Sequence, residues 1–186
     1  MSTPTLDDAR GLMEIHIASL ALRNHCKAVA ATMGFIARSK GQDEQKWAAI
    51  GMVHDLDWEQ YPEEHCQRTK QFLEQALWPE DSVRAVLAHG WQICTDVKPL
   101  TELEKTLYAI DELTGFVTAC ALVRPSKSVC DLEVKSVRKK WKSAAFAAGV
   151  DRDVIVRGTG MLGVELDELI QTVIDAMREV ADDIGL

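Results

Sequence analysis

The sequence predicts an all-α fold, a helical bundle, and three observations support this. Apolar residues recur at helical spacing along most of the chain, and no stretch shows the two-residue alternation of a strand. Residues that favour helix starts, among them Asp43 and Thr101, stand just before these apolar stretches. No internal repeat, low-complexity segment or linker rich in Gly, Ser or Pro divides the chain. We therefore expect one domain over residues 1–186.

The first two predicted helices lie in the N-terminal third of the chain. The stretch 22–38 places apolar residues at helical spacing and stops before Gly41. Asp43 can cap a second helix, because its side chain can accept a hydrogen bond from a free amide of the first turn. That helix is predicted to run to His54.

Further starts follow along the chain. Pro62 and Pro79 each stand where a first helical turn should begin, a position that tolerates proline. Thr101 and Glu104 have the spacing of a capping box and open the longest apolar helix, which should end near Val123. The remaining predicted helices span 133–148, 151–162 and 165–184. The apolar face of the last one predicts a core or homodimer face.

The amino-acid composition favours some classes of protein and argues against others. The apolar fraction of 47% and the charged fraction of 27% are typical of a soluble globular protein. No window has eighteen consecutive apolar residues and the N-terminus lacks a signal-peptide pattern, so we expect a cytoplasmic protein without a membrane span. The net charge of −8 argues against binding to duplex nucleic acid. The five cysteines contain no CxxC pair, which predicts reduced thiols that mostly fill the core.

Several polar residues occupy positions where the helical pattern calls for apolar ones. They lie on five predicted helices, and they are His25, His54, His65, His89 and Asp111. A carboxylate buried in the middle of an apolar helix is costly unless it is paired or binds a metal. Each histidine alone is more simply a packed core residue. Inward-facing ligands on several helices are, however, how a helical bundle assembles a metal site.

These residues, with Asp55, resemble a known family. The order His25, His54-Asp55, His65, His89, Asp111 is similar to the H…HD…H…H…D pattern of the HD superfamily of metal-dependent hydrolases. The segments VLAHG, YAIDELTGFVTACALVRPSKS and VKSVRKKWKSAAFAAGV resemble a bacterial subgroup described as predicted HD-superfamily hydrolases. The resemblance covers about residues 20–180. It implies an HD-domain bundle with its metal site between the central helices.

The resemblance also implies the ligands. One divalent metal would be held by His25, His54, Asp55 and Asp111. A second would be held by His65 and His89, with Asp55 as the bridge. Imidazole and carboxylate ligands suit Mn, Fe, Ni, Co, Zn or Mg, and one or two ions per chain remain open.

The implied activity is hydrolysis of a phosphomonoester or phosphodiester, in a nucleotide or another small molecule, by metal-activated water. Two alternatives stay open: a mixed-valent di-iron oxygenase built on the same ligands, and an HD module that binds a ligand without turnover. The expected partner is a small phosphorylated substrate.

Other residues are candidates for proton transfer or substrate contact. Asp57 and Glu112 flank the ligands and, with Asp55, form the predicted catalytic set; Glu59 is a weaker candidate. Trp58 and Tyr61 lie between Asp55 and His65 and could cover a substrate.

The basic segment, residues 124–142, has seven of the 21 basic side chains of the chain. A solvated helix face explains most of it, and an anion-binding surface is the alternative. The predicted substrate contacts are Arg124, Ser126, Lys127, Lys135 and Lys139.

Overall fold

The computed structural model describes residues 4–186, and this part of the chain is all-α. It contains ten α-helices, a 3-10 turn over Pro62–Glu64, and no strand. The α-helices are α1 (Leu6–His16), α2 (Leu20–Ser39), α3 (Glu44–Val53), α4 (Gln67–Gln75), α5 (Glu80–His89), α6 (Glu102–Leu122), α7 (Val134–Trp141), α8 (Arg152–Leu162), α9 (Leu166–Arg178) and α10 (Ala181–Ile184). The predicted fold class is confirmed.

The predicted helix starts are confirmed where the capping residue was identified. Asp43 accepts a hydrogen bond from the amide of Lys46 at 3.0 Å and opens α3. The Thr101 hydroxyl accepts from the amide of Glu104 at 3.3 Å, and the Glu104 carboxylate accepts from the amide of Thr101 at 2.9 Å. These bonds satisfy amides that have no partner within the helix.

The expectation of a helix from Pro62 onward is wrong. Pro62 opens only the 3-10 turn, and Cys66 then adopts a positive φ of 69°, a conformation that no α-helix can include. Helix α4 starts after it, at Gln67. His65 therefore lies in a turn between two short helices rather than on a helix face.

Helix α7 ends at Trp141, seven residues before the predicted end. The guanidinium of Arg152 donates to the carbonyl oxygens of Ser143 at 3.0 Å and Phe146 at 2.6 Å. Those carbonyls therefore accept from a side chain, and residues after α7 form turns.

The two ends of the chain also differ from expectation. Helix α1 is not among the predicted helices; it opens with a capping box between Thr5 and Asp8. The predicted last helix is divided, because Val180, with φ −125°, separates α9 from α10. The apolar face of α9 is buried in the core of this chain, so a core role accounts for it, while a homodimer stays a prediction.

Helix α6 is the centre of the fold, and α2, α5, α8 and α9 pack against it. Helices α2 and α3 approach closely, since a side-chain carbon on Gly51 would lie 3.0 Å from the Cα of Ala30. This contact sets the C-terminal end of α3 beside α2, and α6 packs against α2. Within residues 4–186, no helix is long and apolar enough to cross a bilayer.

Candidate metal centre

The six predicted ligands come from five parts of the chain and lie together. We call them the histidine–aspartate cluster: His25 in α2, His54 and Asp55 directly after α3, His65 after the 3-10 turn, His89 at the end of α5, and Asp111 in the middle of α6. Helix α3 ends at Val53, so His54, which keeps helical dihedrals, and Asp55 lie at the helix end.

Asp55 stands at the centre of the cluster, between two pairs of histidines. Its Oδ2 lies 3.8 Å from Nε2 of His25 and 3.4 Å from Nε2 of His54. Its Oδ1 lies 3.7 Å from Nε2 of His65 and 3.6 Å from Nε2 of His89. Each oxygen of one carboxylate therefore faces a different pair of imidazoles.

Asp111 faces the first pair of histidines, His25 and His54. Its Oδ1 lies 2.9 Å from Nε2 of His25 and 3.2 Å from Nε2 of His54. With Asp55, these residues present two imidazole nitrogens and two carboxylates to one point, which is a donor set suited to a divalent metal.

The imidazoles of His54 and His89 are held by the helices that precede them. Nδ1 of His54 donates to the carbonyl oxygen of Gly51 at 2.8 Å, and Nδ1 of His89 donates to that of Val86. A carbonyl oxygen can only accept, so Nδ1 carries the proton and Nε2 of the neutral ring has a free lone pair. Nε2 of His54 is buried and has no hydrogen-bond partner among the described residues.

His65 is oriented in the same way by a carboxylate. Its Nδ1 donates to Oδ1 of the fully buried Asp57 at 2.7 Å, and Asp57 Oδ2 accepts from the amide of Thr69 at 2.8 Å. Nε2 of His65 then faces Nε2 of His89 at 3.2 Å. Two neutral rings would meet there lone pair to lone pair, so the arrangement requires a positive charge between them, either a proton or a metal ion.

The carboxylates attract that charge. Burial lowers the pKa of His54, but Asp55 and Asp111 outweigh it and the pKa is raised. Burial likewise lowers the pKa of His89, and the carboxylates of Asp55 and Asp111 together raise it by more. For Asp55 itself, burial raises the pKa, whereas the neighbouring imidazoles of His54, His89 and His25 bring it down to about 2. Protons and metal ions therefore compete for the same nitrogens.

A cavity of about 250 Å³ opens onto the cluster. His54 lies behind it, and the other five residues of the cluster line its wall. The lining residues are Leu22, His25, Asp55, Trp58, His65, His89, Gly90, Ile93, Asp111, Glu112, Gly115 and Gly149. Three larger grooves, of about 480, 400 and 680 Å³, have no histidine in their described walls, and a fourth, of about 270 Å³, has only His25 of the cluster.

Of the two predicted cover residues, one lies at the cavity. Trp58 is 49% exposed and lines it, with its ring edge-on to that of His65 at 4.9 Å between centroids. Tyr61 instead packs against Phe72, and the guanidinium of Arg68 lies over its ring.

The flanking acids have different surroundings. Glu112 lines the cavity and accepts from the amide of Asp151 at 3.2 Å; burial and the neighbouring Asp111 raise its pKa to about 7. Glu59 accepts from the amides of Ala18 and Ser19, at 2.8 and 3.0 Å. It joins the loop after α3 to the start of α2, which is a structural contact.

The five predicted substrate contacts in the basic segment do not line the cavity. Arg124 donates to both carboxylate oxygens of Asp131, at 3.0 and 2.8 Å, and the Ser126 hydroxyl donates to the same carboxylate at 2.9 Å. Lys135 lies 2.6 Å from Glu133. A role of Arg124, Ser126, Lys127, Lys135 and Lys139 in substrate binding stays a prediction.

Two thiols that are not among the predicted site residues lie at this site. Cys66 offers a sulfur within 4.8 Å of nitrogens of His65 and His89, and Cys94 lies next to it. The position of Cys66 directly after His65 was the available signal. Cys26 and Cys120 are buried, in agreement with the prediction that cysteines fill the core.

No protein-family model matches this chain, and no curated protein matches it either. The all-helical architecture and the buried His/Asp groups, which can hold a metal ion, are compatible with an HD-type fold.

Proposed function

We propose that this chain is a metal-dependent phosphohydrolase of the HD type, acting on a nucleotide or another small phosphoester. One observation carries the proposal: His54, His65 and His89 all donate Nδ1–H outward and turn Nε2 towards Asp55. Histidines that ligate metals characteristically have their second nitrogen fixed in this way.

The division of Asp55 between two histidine pairs supports two ions rather than one. The first would be held by His25, His54, Asp55 and Asp111, and the second by Asp55, His65 and His89. Two divalent cations outweigh two carboxylates, and neutral imidazoles add no charge. The loaded site is therefore positive and suited to a phosphate group.

A divalent ion bound there supplies Lewis acidity towards a phosphoryl oxygen and lowers the pKa of a bound water molecule. The residues of the chain orient the reaction. Asp57 fixes the ring of His65, Trp58 narrows the mouth of the cavity, and Glu112 is close enough to the cavity to exchange a proton with a bound molecule.

The experiment that tests the proposal is phosphate release by metal-stripped protein reloaded with Mn²⁺, assayed on phosphomonoesters, phosphodiesters and nucleotides. We expect hydrolysis that depends on added metal, is lost in Asp55→Ala and survives in His16→Ala. His16 is the matched control because it is the one histidine outside the cluster, stacked on Phe72 at 4.0 Å.

Three results would overturn the proposal. Hydrolysis retained by Asp55→Ala would show that the cluster is not the site. Iron bound in both positions, with oxygen consumption and no phosphate release, would favour the di-iron oxygenase, and metal binding with neither reaction would favour a binding module.

A further inference from the structure

Two thiols outside the proposed ligand set are in contact. The Sγ atoms of Cys66 and Cys94 are 3.1 Å apart, although 28 residues separate them in sequence. Cys66 directly follows His65, and Cys94 lies in the turn after α5. Nothing in the proposed hydrolysis uses either sulfur.

The backbone holds both cysteines in place. Cys66 adopts a positive φ of 69°, which is rare for a residue with a side chain and persists only where the surroundings enforce it. In the opposite turn, the amide of Cys94 donates to the carbonyl oxygen of Gly90 at 2.9 Å, and the Thr95 hydroxyl donates to that of Leu87 at 2.8 Å. The sulfur contact is therefore set by two fixed turns.

Gly90 provides the space for this contact. A side-chain carbon at Gly90 would lie 2.7 Å from Sγ of Cys66 and closer still to Sγ of Cys94. Real carbons do not approach sulfur that closely, so any other residue here would force the two sulfurs to move. The pair occupies a place that only glycine leaves open.

Exposure differs between the two thiols. Cys66 is fully buried, whereas Cys94 is partly exposed and follows Ile93, which is 55% exposed and lines the cavity. A small reagent can therefore reach Cys94 first, and Cys66 is then the group in position to react with what forms there.

We propose that Cys66 and Cys94 are an oxidisable dithiol that a hydroperoxide converts to a disulfide. The sulfur of Cys94 attacks one oxygen of hydrogen peroxide, the O–O bond breaks, and a sulfenic acid and one water form. The sulfur of Cys66 then attacks the sulfenic sulfur, the S–S bond forms, and hydroxide leaves with the thiol proton as a second water. Two thiols are oxidised and one peroxide is reduced.

The two sulfur atoms need to move only a short distance to form the disulfide. A disulfide has an S–S length of about 2.05 Å, so the sulfurs must approach each other by about 1 Å. Because Cys66 is covalently joined to His65, this shift acts on the turn that holds His65 in the cluster.

The test is oxidation of the full-length, chelator-treated protein with hydrogen peroxide, followed by alkylation and tryptic digestion without reductant. We expect two of the five thiols to be lost. A reductant-sensitive link should join peptide 47–68 to peptide 85–105, since the Lys98–Pro99 bond resists trypsin.

Cys94→Ser should keep its remaining thiols reduced under the same treatment, and Cys130→Ser should still form the link. Cys130 is the matched control because it is an exposed thiol elsewhere on the surface. Cys94→Ser changes only a partly exposed side chain, so we expect this variant to fold. Circular dichroism checks its folding. The proposal is overturned if the wild type keeps all five thiols. Equal thiol loss in Cys94→Ser, or a link through Cys130, would also overturn it.

Discussion

The histidine–aspartate cluster and the basic segment are both predicted to have a function. They differ in the burial of their polar side chains and in the partners that those side chains contact. In the cluster, residues up to 86 positions apart, such as His25 and Asp111, are in contact and buried or half-buried. In the basic segment, charged groups form ion pairs at the surface, as Arg124 does with Asp131 and Arg138 with Asp167, and none of these pairs is buried.

The difference follows from the cost of burying charge. A buried carboxylate or imidazole must be paired, so the fold has to bring its partners to it. An exposed lysine or arginine is already solvated, and a surface ion pair contributes at most about 1 kcal/mol. A polar residue at an apolar helix position is thus a stronger indication of a site than a cluster of surface charges.

The largest expected effect is that of Asp55→Ala, which should abolish binding of both ions and all hydrolysis. Among residues 4–186, Asp55 alone has carboxylate oxygens that face both histidine pairs. Metal content after dialysis against Mn²⁺ measures it. The matched control is Asp131→Ala, which removes a surface carboxylate from the basic segment and should leave metal content unchanged. Equal losses in both variants would remove the distinction between the two regions.

The second largest effect is expected for His65→Ala, which should lose one ion while the other stays bound. Its Nε2 faces only Oδ1 of Asp55 and Nε2 of His89, whereas the first group of ligands stays complete. The measurement is metal stoichiometry by elemental analysis. Loss of both ions, or of neither, would show that the histidines do not form two separate pairs.

A smaller effect is expected for Asp57→Asn. An amide can still accept from Nδ1 of His65, but it cannot also accept from the amide of Thr69 on its other atom. We expect the affinity for the second ion to fall about 10- to 100-fold, the usual range for groups that orient a ligand. Titration with Mn²⁺ against a competing chelator measures this, and unchanged affinity would mean that Asp57 does not position His65.

The smallest effect should come from the basic segment. Replacing Lys135 and Lys139 by Ala together should leave metal content unchanged and shift the free energy of unfolding by no more than about 0.5 kcal/mol, as is usual for surface positions. The KM for a phosphoester is the informative measurement. A rise in KM with kcat unchanged would support the predicted substrate contact, and an unchanged KM would assign the segment to a solvated surface.

Much of the fold was predictable from the sequence because helix starts depend on neighbouring residues. Asp43 and Thr101 could be identified as caps from local spacing alone. The start of helix α1 was harder to predict, since its capping box uses Asp8 where Glu or Gln is usual. The early end of α7 depends on Arg152, which arrives from a later part of the chain.

The same distinction applies to the site. The residues of the histidine–aspartate cluster were identifiable as candidates, because each interrupts an apolar pattern or matches the family motif. Their geometry was not. The placement of His65 in a turn, its bond to Asp57 and the contact between Cys66 and Cys94 all depend on the left-handed backbone at Cys66 and on the packing of distant segments.

The measurement that tests the central claim most directly is elemental analysis of the purified protein, as isolated and after loading with Mn²⁺ or Ni²⁺. Asp55, with one carboxylate oxygen facing each pair of histidines, predicts about two ions per chain. One ion would leave His65 and His89 without a role as ligands. No bound metal, even after loading, would contradict the claim that the histidine–aspartate cluster is a metal centre.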